Sequence, residues 1–480
     1  MVERLTALDA SFLYLEEPGT PMHVGAVLVL DRPSGEFDHE ALVELVRARL
    51  PLVPRYRQKV VEVPGHLANP AWVDDPDFDL GYHVRRSALP RPGTEEQLLD
   101  LVARLTARPL DRSRPLWEMY LVEGLAGDRT AVVTKTHPAL VDGLGAIDIG
   151  QVILDPDPTA GTAPLPAADP WLPRRPPGPA ALVWEAVEDY LRRPSDVLET
   201  ARTAVGDVRA TAFRWAGVAG GLAAALARTA VSPAPASSLN APIGRQRRVA
   251  VARATLDDLR VVRAAHGGTV NDVLLSVVTG ALREWLLSRG EPVVSSTSVR
   301  ALVPVSVRGE DGAAAGEVRS FLVDLPVGEP NPRVRLTRIS YAMRGVAPSG
   351  QSVGADTLSA LSGFAPPTLH ALGARAASGL SRRLFNLVVI NVPGPQVPLY
   401  AGGARMAEVF PVVPLVRGQG LAIGLTSYDG TVYVGLNGDR DTVSDVDVLA
   451  DLIEQEVAYL VETATGPAGG PTAGTGPAAR

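Results

Sequence analysis

Apolar positions along this chain recur with two different spacings. MHVGAVLVLD (22–31) is a nearly unbroken apolar run closed by Asp31, Pro33 and Gly35, and it predicts a buried strand. HEALVELVRARL (39–50) puts Leu42, Leu45, Val46 and Leu50 on one face of a helix. TEEQLLDLVARL opens with a capping box, Thr94 to Gln97, ahead of Leu98, Leu101, Val102 and Leu105. WEMYLVEGL and TAVVTKTH then read as two strands joined by a turn at Gly127-Asp128. Strands and helices interleave, which points to α/β or α+β layering.

The rhythm breaks at APLPAADPWLPRRPPGPA (163–180), whose seven prolines predict an extended, semi-rigid linker. A helical region, 181–231, follows. In ALVWEAVEDYL an apolar face runs through Leu182, Val183, Ala186, Val187, Tyr190 and Leu191. AGVAGGLAAALA (216–227) is apolar but too short to span a bilayer, leaving a packed or a surface-lying helix as its readings. The pattern restarts at RRVAVARATLDDLRVVRAAHG. TVNDVLLSVVTGALREWLLSRG (269–290) predicts a helix with Thr269 as N-cap and Gly290 as stop. SVRALVPVSV, RSFLVDLPV and LFNLVVINV read as strands, and LAIGLTSYDGTVYVGLN as a hairpin turning at Asp429-Gly430. DVDVLADLIEQEVAYLVE is a closing amphipathic helix, and 466–480 is low in complexity. The boundaries drawn are 1–162 for a first domain, 163–245 for a linker and helical crossover, 246–465 for a second domain and 466–480 for a disordered tail. No short-period repeat is visible.

Composition narrows the function classes. A chain of 480 residues, 46% hydrophobic and 21% charged, is long enough for two cores. Its net charge of −7 and the lack of a basic block argue against nucleic acid as a partner. The absence of cysteine excludes disulfides, thiolate nucleophiles and Cys-based zinc sites. The amino-terminal segment lacks a signal peptide's apolar core, so a cytoplasmic location is expected.

The seven histidines, His23, His39, His66, His83, His137, His266 and His370, form no HExxH pair, and no metal site is expected. There is no G-x-S-x-G elbow and no G-x-x-x-x-G-K-[ST] loop. What remains is THPALVDG (136–143), with His137, Asp142 and Gly143 at the end of a strand. A histidine there serves either as a hydrogen-bonded structural residue or as a base.

THPALVDG resembles the HHxxxDG motif of the bacterial wax ester synthase/diacylglycerol acyltransferase family, part of the CoA-dependent acyltransferase superfamily. The likeness continues, in the family's order, through LDASFL (8–13), RPLWE (114–118), VNDV (270–273), NVPGP (391–395) and SYDGTVYVGLNGD (427–439). It implies an α/β fold of two chloramphenicol-acetyltransferase-like domains, each a mixed sheet with flanking helices, and a channel between them. It also implies transfer from acyl-CoA, as co-substrate with no resident cofactor, to diacylglycerol or a long-chain alcohol. Peripheral attachment to the inner face of the membrane or to lipid bodies follows from the same likeness.

By the resemblance, the second histidine of the motif is the general base, a role that suits a pKa near neutrality. That position is occupied here by Pro138, which has neither imidazole nor N–H. His137 falls on the first histidine and, in extended chain, should point away from the direction of residue 138. Asp142 is then mainly structural, with Arg308 its suggested partner. Asn271 would line the channel as an orienting or oxyanion donor, and Pro115, Leu116, Trp117 and Asp272 would lie along the substrate path. The same residues allow plainer roles. Leu116 and Trp117 also suit a core, Asn271-Asp272 a helix's first turn, and NVPGP a strand exit. Three functions stay open: a lipid O-acyltransferase, a silent acyl-CoA or lipid binder, and an acyltransferase acting on a carrier-protein thioester.

Overall fold

The computed structural model describes residues 2–31, 37–141, 149–159, 171–192, 233–307, 317–346 and 383–465. Asp142, Gly143, Arg308, the helix expected at 216–227, His370 and the tail 466–480 fall outside them.

In chain order the elements are α1 (Ala7–Leu15), β1 (Val24–Asp31), α2 (His39–Arg49), β2 (Gln58–Val61), β3 (Ala71–Asp74), α3 (Leu80–His83), β4 (Val84–Ala88), α4 (Glu95–Thr106), β5 (Trp117–Leu125) and β6 (Arg129–Thr136). Then come α5 (Ile149–Val152), α6 (Pro179–Arg192), β7 (Arg247–Thr255), α7 (Leu256–His266), α8 (Val270–Ser288), β8 (Val299–Val307), β9 (Glu317–Leu325) and α9 (Pro332–Val346). The chain continues through β10 (Leu387–Pro393), β11 (Tyr400–Ala401), β12 (Ala404–Val412), β13 (Leu421–Tyr428), β14 (Thr431–Asp439) and α10 (Val446–Thr465).

Local chemistry accounts for most boundaries. The Thr94 hydroxyl accepts from the Gln97 N–H while the Gln97 side chain accepts from the Thr94 N–H, completing the capping box that starts α4. Thr269 and Asp272 start α8 in the same way. Asp429 and Gly430 both have positive φ, 44° and 83°, as a two-residue hairpin turn needs, and they join β13 to β14. On α6, Leu182 and Ala186 are buried but Val187 is exposed, so the apolar face is narrower than its sequence spacing.

Two mixed sheets carry the fold. The first has the order β11-β12-β1-β6-β5-β4 and the second β7-β14-β13-β10-β8-β9. They share a four-strand pattern. In β1-β6-β5-β4 and in β7-β14-β13-β10 the first two pairings are antiparallel and the third is parallel. The duplication is architectural, which is why no sequence repeat announced it.

The sheets do not divide the chain at one point. Residues 400–412, assigned by sequence to the second domain, join the first sheet instead: β11 pairs with β12, and β12 with β1, Gly25 facing Val412 and Leu28 facing Val409. Met406, Phe410 and Val412 join the first core, with Val27, Trp117 and Val132. The second core is built on α8, buried along nearly its whole length among Leu259, Leu336, Ile423 and Ile453.

Crossing between sheets requires a place for β12 to lie. Gly424 and Gly435 face each other across β13 and β14, and a Cβ on Gly435 would sit 1.8 Å from the Pro411 carbonyl oxygen. A Cβ on Gly424 would meet Pro411 and Val413 at 2.9 Å. The paired glycines form a flat seat for the crossing strand. Gly435→Ala should therefore lower stability by at least about 2 kcal/mol through overpacking against rigid backbone. Gly178→Ala, at a position with nothing within 4 Å, should be close to neutral. Urea unfolding of both variants is the check, and equal midpoints would refute the seat.

Candidate active site

β6 leaves its sheet at Thr136, and His137 prolongs the ladder by donating its N–H to the Leu116 carbonyl at 2.9 Å. Pro138 opens a 3-10 turn, Pro138–Leu140, where no N–H is needed and a fixed φ is an advantage. His137 caps this turn, its Nδ1 accepting from the Ala139 N–H at 3.1 Å. A ring nitrogen that accepts carries no proton, so the neutral imidazole holds its hydrogen on Nε2. Nε2 is buried and has no hydrogen-bond partner among the described residues. The ring is 1% exposed, and burial, followed by the charge of Arg112, lowers its pKa to about 3. At neutral pH His137 is thus uncharged, with its lone pair spent on the turn. Pro138 is half-buried.

Leu116 and Trp117 lie in the first core, and Pro115 is buried. Trp117 is fully buried, donates its indole N–H to the Tyr56 carbonyl at 2.8 Å and stacks on His83 with ring centres 4.6 Å apart. His83 Nδ1 bonds the Trp117 carbonyl at 2.7 Å, and burial lowers the ring's pKa to about 4. The motif fixes where β5 begins, and so fixes the Leu116 carbonyl that holds His137.

Sequence reasoning missed a polar group behind this exit. Val24 pairs with Thr136, so His23 stands opposite His137 at the next step of the ladder. His23 is buried, and burial and then the Lys135 charge lower its pKa well below the ordinary value. Lys135 is buried and pairs with Glu118 at 3.1 Å, and Glu118 also accepts from Tyr120 at 2.7 Å. The signal was present: Lys135 is one of two lysines, Lys59 and Lys135, and interrupts an apolar strand two residues before His137.

In the second domain Asn271 is near the start of α8, and its Oδ1 accepts from Asn391 Nδ2 at 2.9 Å. Asp272 is 5% exposed, accepting from the Thr269 N–H at 2.8 Å and from Ser340 Oγ at 3.0 Å. Its carboxylate is committed to the helix start and to α9. No hydrogen bond joins His137 to Asn271. Among the described residues no group of three or more His, Asp or Glu is arranged to hold a metal ion, and no helix is long and apolar enough to cross a membrane. A groove of about 580 Å³ lies along β7, α7 and α10, lined by Arg253, Asp258, Glu454 and Val461, and includes none of the candidate residues.

Two sheets of matching strand pattern, joined by a crossing strand, define a two-domain α/β protein. The model of the wax ester synthase/diacylglycerol acyltransferase catalytic domain matches residues 5–274, and that of the WS/DGAT C-terminal domain matches 317–460. The chain belongs to this family. A probable diacylglycerol O-acyltransferase, tgs3, of Mycobacterium tuberculosis is 52% identical over 267 residues, 55% of this chain and 97% of the relative. The probable diacylglycerol O-acyltransferase tgs1 of the same species is 36% identical over 472 residues, 96% of each chain. The solved wax ester synthase/diacylglycerol acyltransferase from Marinobacter aquaeolei VT8 superposes with a TM-score of 0.68 at 28% identity, covering 96% of this chain and 99% of that one.

The buried rings set a pH dependence. Unfolded histidine takes a proton near pH 6.5, but His137 and His83 in the folded protein do so only near 3 and 4. Unfolding therefore takes up protons between these limits. The stability is complete above about pH 6.5 and is lost as the pH falls, by about 1.4 kcal/mol per pH unit for each ring. His137→Asn keeps an acceptor for the Ala139 N–H but cannot titrate. Its urea midpoints between pH 7.5 and 5 should fall less steeply than those of the wild type, and parallel slopes would contradict a buried neutral ring.

Proposed function

We propose that this chain is an acyl-CoA-dependent O-acyltransferase of neutral lipids whose turnover is slowed because residue 138 supplies no base. The acyl donor is acyl-CoA, used as co-substrate without a resident cofactor. The acceptor is diacylglycerol or a long-chain alcohol, met at the membrane's inner face or a lipid-body surface from the cytoplasm. The family membership and the names of the relatives support the substrates.

The reaction joins the acceptor oxygen to the thioester carbonyl carbon, breaks the carbon–sulfur bond and delivers the hydroxyl proton to the departing CoA thiolate. A base near neutral pKa ordinarily carries that proton. The observation that carries the reading is the bond from the Ala139 N–H to His137 Nδ1, which occupies the nearest imidazole lone pair and leaves it no role in proton transfer. Asp142 and Gly143 complete the motif in sequence. Pro115, Leu116, Trp117 and Asp272 act on the path indirectly, by holding the strand and helix that border it. What remains to the protein is positioning, which by itself still accelerates the transfer.

Pro138→His should raise ester formation from palmitoyl-CoA with diacylglycerol or hexadecanol by about 10²- to 10⁴-fold over wild type. His137→Ala should lower stability without selectively abolishing wild-type turnover. Wild-type activity lost wholly in a folded His137→Ala protein would make His137 the base and overturn the proposal. Acyl-CoA binding without ester from either wild type or Pro138→His would instead identify a silent binding protein, the reading favoured by the spent lone pair of His137.

A further inference from the structure

Asn271 and Asn391 come from different elements and meet at one edge of the second sheet. β10 runs parallel to β8 and β13, and Asn391 lies towards its carboxyl end. The amino end of α8 sits beside it, as their 2.9 Å hydrogen bond requires. Carboxyl ends of parallel strands next to a helix amino end form the crevice in which open α/β sheets take ligands. Both side chains are half-buried, as suits a crevice wall.

A carboxamide has an acceptor at one end and two donor hydrogens at the other. Whatever holds one end decides what the other presents. Asn391 donates to Asn271 Oδ1, which leaves the Asn271 NH2 on the side of the amide away from Asn391. The helix start leaves backbone donors unfilled beside it. The first-turn N–H groups of Val270 and Asn271 have no acceptor within the helix, and the helix amino end carries a positive partial charge. Asp272 keeps its negative charge at this helix end, but its carboxylate is engaged by the Thr269 N–H and Ser340 and not by the Asn271 amide.

We infer that Asn391 is a positioning residue, which holds the Asn271 amide with its N–H groups towards the crevice so that they donate to the thioester carbonyl oxygen. The inference rests on the proposal that this crevice takes acyl-CoA. It adds the residue that chooses which face of the Asn271 amide the substrate meets. A donor placed where charge develops stabilises the transition state more than the bound substrate. Misorientation of the amide should therefore lower kcat by a larger factor than it raises KM for acyl-CoA.

The test uses two probes that cannot react, S-(2-oxoheptadecyl)-CoA, which keeps a carbonyl, and S-heptadecyl-CoA, which lacks one. The wild-type chain should bind the ketone about fivefold more tightly, the worth of roughly one neutral hydrogen bond. Asn391→Ala frees the Asn271 amide to rotate and should reduce that preference. Asn391→Asp can only accept, so Asn271 must donate to it and turn its own oxygen outward. The preference should then vanish or invert. The ratio of the two affinities cancels the repulsion between the new carboxylate and the CoA phosphates. In the Pro138→His background kcat should fall in the same order, with Asn391→Asp below Asn391→Ala. If Asn391 only braced the strand, the near-isosteric Asp would behave better than Ala, and that order overturns the inference. Equal wild-type affinity for the two probes overturns the role of the amide alone. Binding of neither probe overturns the acyl-CoA reading and this role with it.

Discussion

The passage of β12 out of the second domain into the first sheet is the contact on which both halves of this molecule depend. It completes the first sheet beside β1 and supplies Met406, Phe410 and Val412 to that core. It can do so because Gly424 and Gly435, opposite one another, leave no side chain where Pro411 lies. Arg253 on β7 reinforces the junction, bonding Glu408 on β12 at 2.7 Å and also Glu95 at the start of α4. The first sheet is not closed by its own segment of chain, so the placement of the two domains is a property of the fold and not of a linker.

The strand exit at Thr136 is held with similar economy of parts. Trp117, locked by Tyr56 and His83, fixes the start of β5, whose neighbouring Leu116 carbonyl holds the His137 N–H. His137 then caps the turn that Pro138 begins. Proline supplies the right φ for a first helical position, so the backbone path survives although residue 138 has lost any capacity to accept a proton. Chain geometry and chemistry are separable here: the turn is well formed by residues that do not serve as a base.

Much of this was legible in the sequence. The strands 22–31, 117–125 and 129–136, the helices 39–49, 95–106 and 270–288, and the hairpin at Asp429-Gly430 follow from periodicity, capping residues and turn chemistry. Strand β12 was missed because RMAEVFPVV carries a proline and a glutamate, which reads poorly as an interior strand. The cluster of His23, Lys135 and Glu118 was missed because its members are distant in sequence and meet only through the ladder of β1, β6 and β5.

The sequence by itself determined the family, the local elements and the identity of residue 138, because each is carried by the order of residues within short stretches. Only the tertiary structure decided that Trp117 is locked by Tyr56 and His83, that Asp272 also meets Ser340, and that Asn271 is held by Asn391. These are questions of which donor meets which acceptor. Spacing along a chain constrains such pairing only within a turn or two, whereas burial forces it to be settled between elements far apart in sequence.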